Sequence, residues 1–141
     1  MGTSNQFNLK TPLGHQITIT EFPSANSNTI VIILSATGVP QTYYHKFSLF
    51  LQSNNHTVYT FDYSGIGQSK NKPLTQFDTT VSNWATNDIE TVFQHIKKQH
   101  PTKNIKCIGH SLGGQLLGLV PSNKILDTVI LVASQTNHYS F

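Results

Sequence analysis

The stretch Cys107-Ile108-Gly109-His110-Ser111-Leu112-Gly113-Gly114-Gln115 constrains this chain more than any other. It runs the end of an apolar segment, a G-x-S-x-G turn and the start of an apolar helix together without a spacer. Residues 104–109, Asn-Ile-Lys-Cys-Ile-Gly, alternate and are rich in β-formers, so they read as a strand. Downstream, Leu116, Leu117, Leu119 and Val120 continue as a short apolar helix that Pro121 stops. A strand that reverses on a serine and passes at once into a helix is the arrangement of a nucleophile elbow. The serine is then held in a strained conformation with its oxygen proud of the sheet edge. Gly109 and Gly113 stand two residues either side of Ser111, where a Cβ would collide with the neighbouring strand or helix. The Leu112 amide would lie at the helix N-terminus, where a free N–H can stabilise a developing oxyanion. A glycine-rich loop with an ordinary serine is the alternative; five residues with three fixed recur by chance, so the strand and helix on either side carry the reading.

At 141 residues the chain is one domain, long enough to bury a core. Its longest unbroken apolar run, Ile30 to Leu34, falls far short of the roughly 20 residues that span a bilayer, so no membrane span is expected. The N-terminal Met-Gly-Thr-Ser-Asn-Gln lacks a basic-then-apolar leader, and Gln6 stands where a myristoylation signal wants Ser or Thr, which together point to a cytoplasmic protein. The net charge of +3 comes from scattered residues, Lys97-Lys98 being the densest pair; that is a solvated surface and not a nucleic-acid footprint. The single cysteine, Cys107, excludes an internal disulfide, fits a reducing compartment and reads as a small core residue of its strand. No His/Cys/Asp/Glu group has metal-ligand spacing, and neither a G-x-G-x-x-G nor a P-loop pattern occurs, so neither metal nor cofactor is expected.

Taken in order, residues 6–10 and 16–22 alternate on either side of Pro12-Leu13-Gly14 and predict an antiparallel hairpin. The β-branched run 29–34 predicts a strand buried on both faces, followed by the small-residue loop 35–40. Tyr43, Tyr44, Phe47, Phe50 and Leu51 have helical spacing within 41–53; strand 57–61 then runs into Asp62-Tyr63-Ser64-Gly65-Ile66-Gly67-Gln68-Ser69. The strongest helix is 83–99, with Trp84 or Ala85, Ile89, Val92 or Phe93, and Ile96 along one stripe, ended by His100-Pro101. After the elbow, 128–132 predicts a further buried strand. Strands and helices alternating behind a leading hairpin imply an α/β fold: a mostly parallel sheet with flanking helices. Loops 35–40, 62–69 and 109–113 all fall at the C-terminal strand ends, where such sheets bind ligands.

These residues resemble the α/β-hydrolase superfamily, within its serine-hydrolase branch of monoglyceride-lipase-like and proline-aminopeptidase-like members. The match runs in order through strand 29–34 with Thr37-Gly38-Val39-Pro40, the loop 61–69, helix 83–99 and Gly109-His110-Ser111-Leu112-Gly113-Gly114. The resemblance implies a hydrolase of an ester or similar acyl bond, with Ser111 as nucleophile and the amides of Leu112 and Val39 as the oxyanion hole. Thr37-Gly38 departs from the family's frequent His-Gly, and Ser64 stands where arginine is usual, removing a structural salt bridge. In this family the acid and histidine of the triad follow the serine on later strands. Only 30 residues follow Ser111 here. The resemblance therefore implies that 1–141 is the N-terminal portion of a single α/β-hydrolase domain, with the C-terminal half absent. His138 is the best substitute base on the catalytic side; Asp127 begins its strand at the wrong edge, Asp62 orders loop amides, and His110 packs or hydrogen-bonds locally. The rival reading is a catalytically inactive truncated remnant or interaction module. It would pair through its open edge, strand 127–133, with a second copy or with a C-terminal complement. A third keeps the serine but runs perhydrolysis or acyl transfer.

Overall fold

In the computed structural model, which describes residues 2–135, the run Thr29–Leu34 forms strand β3 at the heart of a six-stranded sheet. Its alternate residues serve two apolar layers. Ile30, Ile32 and Leu34 join Ile17, Ile19, Phe61, Ile89 and Phe93 on one face, while Val31 and Ile33 join Phe22, Tyr44 and Val58 on the other. A strand with both faces covered in this way needs no polar alternation, which is why its sequence is continuously apolar.

Strands β1 (Asn5–Lys10) and β2 (Gln16–Phe22) form the expected antiparallel hairpin. Strand β4 (His56–Phe61) lies between β2 and β3, antiparallel to the first and parallel to the second. On the other side of β3, β5 (Asn104–His110) and then β6 (Thr128–Val132) add in parallel, giving the order β1-β2-β4-β3-β5-β6. The parallel part is therefore β4-β3-β5-β6, with the hairpin attached antiparallel at one side.

The segment 41–53 is a 3₁₀ turn, Gln41–Tyr44, leading into helix α1 (His45–Ser53). Tyr44 is buried, whereas Tyr43, Phe47 and Phe50 are exposed, so the helical spacing holds but only part of the aromatic face is covered. The helix expected over 83–99 comprises α2 (Val81–Asn83), a π-helical stretch Trp84–Ile89 and α3 (Glu90–Gln99). Its stripe of Ala85, Ile89, Val92, Phe93 and Ile96 is buried as the spacing predicts. Helix α4 (Leu112–Leu116) passes into a 3₁₀ turn, Leu117–Leu119.

One expectation is corrected. Strand β6 is exposed along its whole length, with Leu131 at 57 %. It has the β-branched sequence of an interior strand, but among the described residues nothing pairs with its outer edge. No helix of the described chain is long and apolar enough to cross a membrane. His138 lies outside the described residues.

Candidate active site

Strand β5 delivers the chain to Ser111, which has φ 50° and ψ −117°, and α4 starts at the next residue. An L-residue rarely occupies this region, and it persists only where its surroundings over-determine it. The surroundings here are backbone. A Cβ at Gly109 would lie 2.5 Å from the Gly114 Cα; one at Gly113 would lie 2.7 Å from the carbonyl carbon of Leu34, the last residue of β3. A Cβ at Gly114 would collide with the Ser134 hydroxyl. The turn is therefore packed against β3 on one side and the exit of β6 on the other.

Hydrogen bonds hold it in place. The Ser111 N–H donates to the Val132 carbonyl of β6 at 2.8 Å, and the Ser111 carbonyl accepts from the Gly114 N–H at 3.1 Å. The Ser134 hydroxyl is 3.0 Å from the Ser111 carbonyl and 3.2 Å from that of Gly109, sharing its proton between them. Ser111 itself is half-buried.

Leu34 pairs with Gly109 in the β3–β5 ladder, so the loop that leaves β3 runs beside the elbow. In that loop the Val39 N–H donates to the Ala36 carbonyl at 3.2 Å, closing a turn in which Gly38 has φ +67°. The Ser35–Ala36 peptide is held at both ends: its carbonyl accepts from the Tyr63 hydroxyl at 3.0 Å, and its N–H donates to the Tyr44 oxygen at 3.0 Å. The Tyr44 oxygen is also 2.8 Å from His110 Nδ1, so His110 does hydrogen-bond locally. Burial raises the pKa of the Tyr44 hydroxyl.

The third loop is ordered by buried carboxylates. Asp62 accepts from the backbone amides of Gln41 at 2.7 Å and Gln68 at 3.0 Å, as the sequence suggests. Ser64 donates its N–H and its hydroxyl to Asp88 at 2.7 and 2.9 Å. Asp88 is 1 % exposed, and burial pushes its carboxyl up to about 6 against the pull of these two donors. Asp88, three residues after Ala85, lies on the buried stripe of its helix; a reading that followed apolar residues alone passes over it. Its signal in the sequence is indirect: Ser64 stands where the family pattern carries a cation.

The remaining candidates lie apart from the serine. Asp127 accepts from the Ile105 N–H at 2.8 Å at the opposite end of the strands, where it ties the start of β6 to β5. Cys107 is fully buried, and desolvation pushes its thiol up to about 12, as befits a core residue. Among the described residues no group of three or more His, Cys, Asp and Glu is arranged to hold a metal ion. A cleft of about 530 Å³ lined by Lys97, Lys103, Lys124 and Asp127 also lies at that opposite end, remote from Ser111.

Over residues 25–137 the sequence matches the family described as "Serine aminopeptidase, S33". The chain belongs to this α/β-hydrolase family. The architecture agrees: a thermostable carboxyl esterase from Bacillus coagulans superposes with a TM-score of 0.78 at 17% identity, over 92% of this chain and 44% of that one. A lidless α/β serine hydrolase from Xanthomonas campestris gives 0.76 at 17% identity, over 98% and 64%. An esterase from Pyrococcus furiosus gives 0.78 at 17% identity, over 96% and 51%. No curated protein matches the sequence. This α/β-hydrolase chain spans about half the length of the solved structures it resembles.

Proposed function

We propose that the protein is a serine hydrolase of ester or related acyl bonds, acting through an acyl-enzyme on Ser111 and completed by residues outside those described. The single observation that supports this best is the backbone of Ser111, strained at φ 50° on a strand–turn–helix in which the flanking glycines leave no room for a Cβ. The Ser111 oxygen would attack the substrate carbonyl carbon while its proton passes to a base. The carbonyl oxygen would become an oxyanion, facing the N–H groups of Leu112 and Val39. Collapse would expel the leaving group with that proton, and water would then cleave the acyl-enzyme. The Val39 N–H, now bonded to Ala36, would exchange or share that acceptor with the oxyanion. His138, or a histidine in a C-terminal complement, would serve as the base, with an acid beyond it. Cytoplasmic residence belongs to the same proposal, supported by a lone buried thiol.

A fluorophosphonate probe applied to this chain, to a longer protein carrying a C-terminal complement, and to the Ser111→Ala variant of each tests the reading. Labelling that disappears with Ser111→Ala is expected. A longer protein that also leaves Ser111 unlabelled refutes it.

The exposed edge of β6 favours a second reading, in which the chain is a catalytically silent module that pairs through residues 127–133. Light scattering decides: size that grows with concentration is expected, and a strictly monomeric chain that cleaves esters overturns it.

A further inference from the structure

We propose that Tyr44 and Tyr63 are positioning residues for the oxyanion side of the site, clamping the Ser35–Ala36 peptide from opposite faces of the sheet; the proposal rests on reading Ser111 as an acyl-transfer nucleophile. Tyr63 belongs to the apolar layer of Phe61, Ala85 and Phe93, and Tyr44 to the layer of Val31, Ile33 and Val58. Their hydroxyls meet at one peptide unit, Tyr63 donating to its carbonyl and Tyr44 accepting from its N–H, each at 3.0 Å. That peptide cannot rotate without breaking one of the two bonds. Tyr44, Tyr63, Ser35 and Ala36 are all buried, so water does not replace a broken bond.

The clamp determines where the Val39 amide points. Ala36 is the residue whose carbonyl receives the Val39 N–H, so the turn 36–39 is built outward from the fixed peptide. Each tyrosine is fixed in turn by another part of the site. The Tyr63 ring stacks on Trp84 with centroids 4.9 Å apart, and the Trp84 Nε1–H donates to the Ser64 carbonyl. The Tyr44 oxygen reaches His110, the residue before the serine.

The Tyr44 oxygen accepts from the Ala36 N–H of the loop and lies 2.8 Å from His110 Nδ1 of the elbow, so one hydroxyl bonds both segments. One tyrosine hydroxyl thus registers the oxyanion loop against the elbow.

The test uses the ¹⁵N-labelled 141-residue chain, the variants Tyr44→Phe and Tyr63→Phe, and the exposed neighbour Tyr43→Phe as control. The His110 ring ¹⁵N shifts are expected to move in Tyr44→Phe, which removes the partner of Nδ1, and to stay in place in Tyr43→Phe. Each clamp variant is expected to speed amide exchange at Ala36 and Val39 by roughly tenfold or more while Ile32 in β3 stays protected, and Tyr43→Phe is expected to change neither. In whichever form Ser111 takes the fluorophosphonate, Tyr44→Phe should slow labelling about tenfold. Unmoved His110 ring shifts in Tyr44→Phe, unchanged exchange at Ala36 and Val39, or an unchanged labelling rate overturns the proposal. Where a phenylalanine variant fails to fold, the Ala36 amide of the unmodified chain decides: protection comparable to that of Ile32 is expected, and exchange at the rate of an unbonded amide overturns the clamp. Failure of Ser111 to label in any form would sink the nucleophile reading, while the exchange data would still judge the clamp.

Discussion

Replacing Gly113 with alanine is the most direct probe of the elbow's packing. The added Cβ would sit 2.7 Å from the Leu34 carbonyl carbon and 2.8 Å from its Cβ, and it would overlap the carbonyl oxygen. These atoms belong to the end of the central strand and cannot swing aside as a flexible side chain would. Overpacking of a fitted interior costs about 1–3 kcal/mol, and an obstacle of backbone places this substitution near the top of that range, about 3 kcal/mol. For a chain of this length that corresponds to a fall in Tm of roughly 10 °C. A domain has about 5–15 kcal/mol in hand, so the variant should still fold and be measurable. Gly118→Ala is the matched control, because its Cβ would meet nothing within 4 Å; its stability should stay within about 0.5 kcal/mol of the parent. Thermal and urea melts followed by circular dichroism compare the two. If Gly113→Ala melts within about 1 kcal/mol of Gly118→Ala, the elbow is not pressed against β3 as described.

Asp88 makes stability fall as pH rises, the reverse of an ordinary salt-bridged carboxylate. Its pKa is raised from 3.8 to about 6 by burial, so the folded chain keeps a proton that the unfolded chain releases, and about 3 kcal/mol is lost between roughly pH 4 and pH 6. Asp88→Asn should flatten the urea midpoint across that window and stabilise the chain at pH 8; parallel pH curves for parent and variant would contradict this. Ser111→Gly removes the strain of φ 50° and should gain about 1 kcal/mol in a urea melt while abolishing probe labelling; a loss of stability would show that the serine conformation is relaxed. Cys107, buried with its thiol pushed up to about 12, should resist iodoacetamide in the folded chain and react only on unfolding; prompt native alkylation would contradict its placement.

The elements that sequence made legible are those where one local pattern sufficed. Continuous β-branched residues marked β3, alternation marked β1 and β2, and the Gly-x-Ser-x-Gly spacing marked the turn at Ser111. What stayed hidden depended on pairs far apart in the chain. In the sequence Tyr44 is one of several aromatics at helical spacing and Tyr63 a member of the loop 62–69; only the fold brings their oxygens to opposite ends of one peptide. Ser134 gave no signal, since its hydroxyl matters through elbow carbonyls 23 and 25 residues earlier. Strand β6 misled for the complementary reason: its residues record an intention to be buried, and burial depends on what lies beside it.

The attachment of Ser111 to that outermost strand carries a mechanical consequence. Its amide hangs from Val132, and Ser134 braces the carbonyls around it, so the hydroxyl's orientation is tethered to a margin of the sheet that, among the described residues, no further strand covers. Whatever seats itself upon β6 would therefore tighten the serine without touching it, and a nick between residues 111 and 128 would slacken it while deleting none of its own atoms.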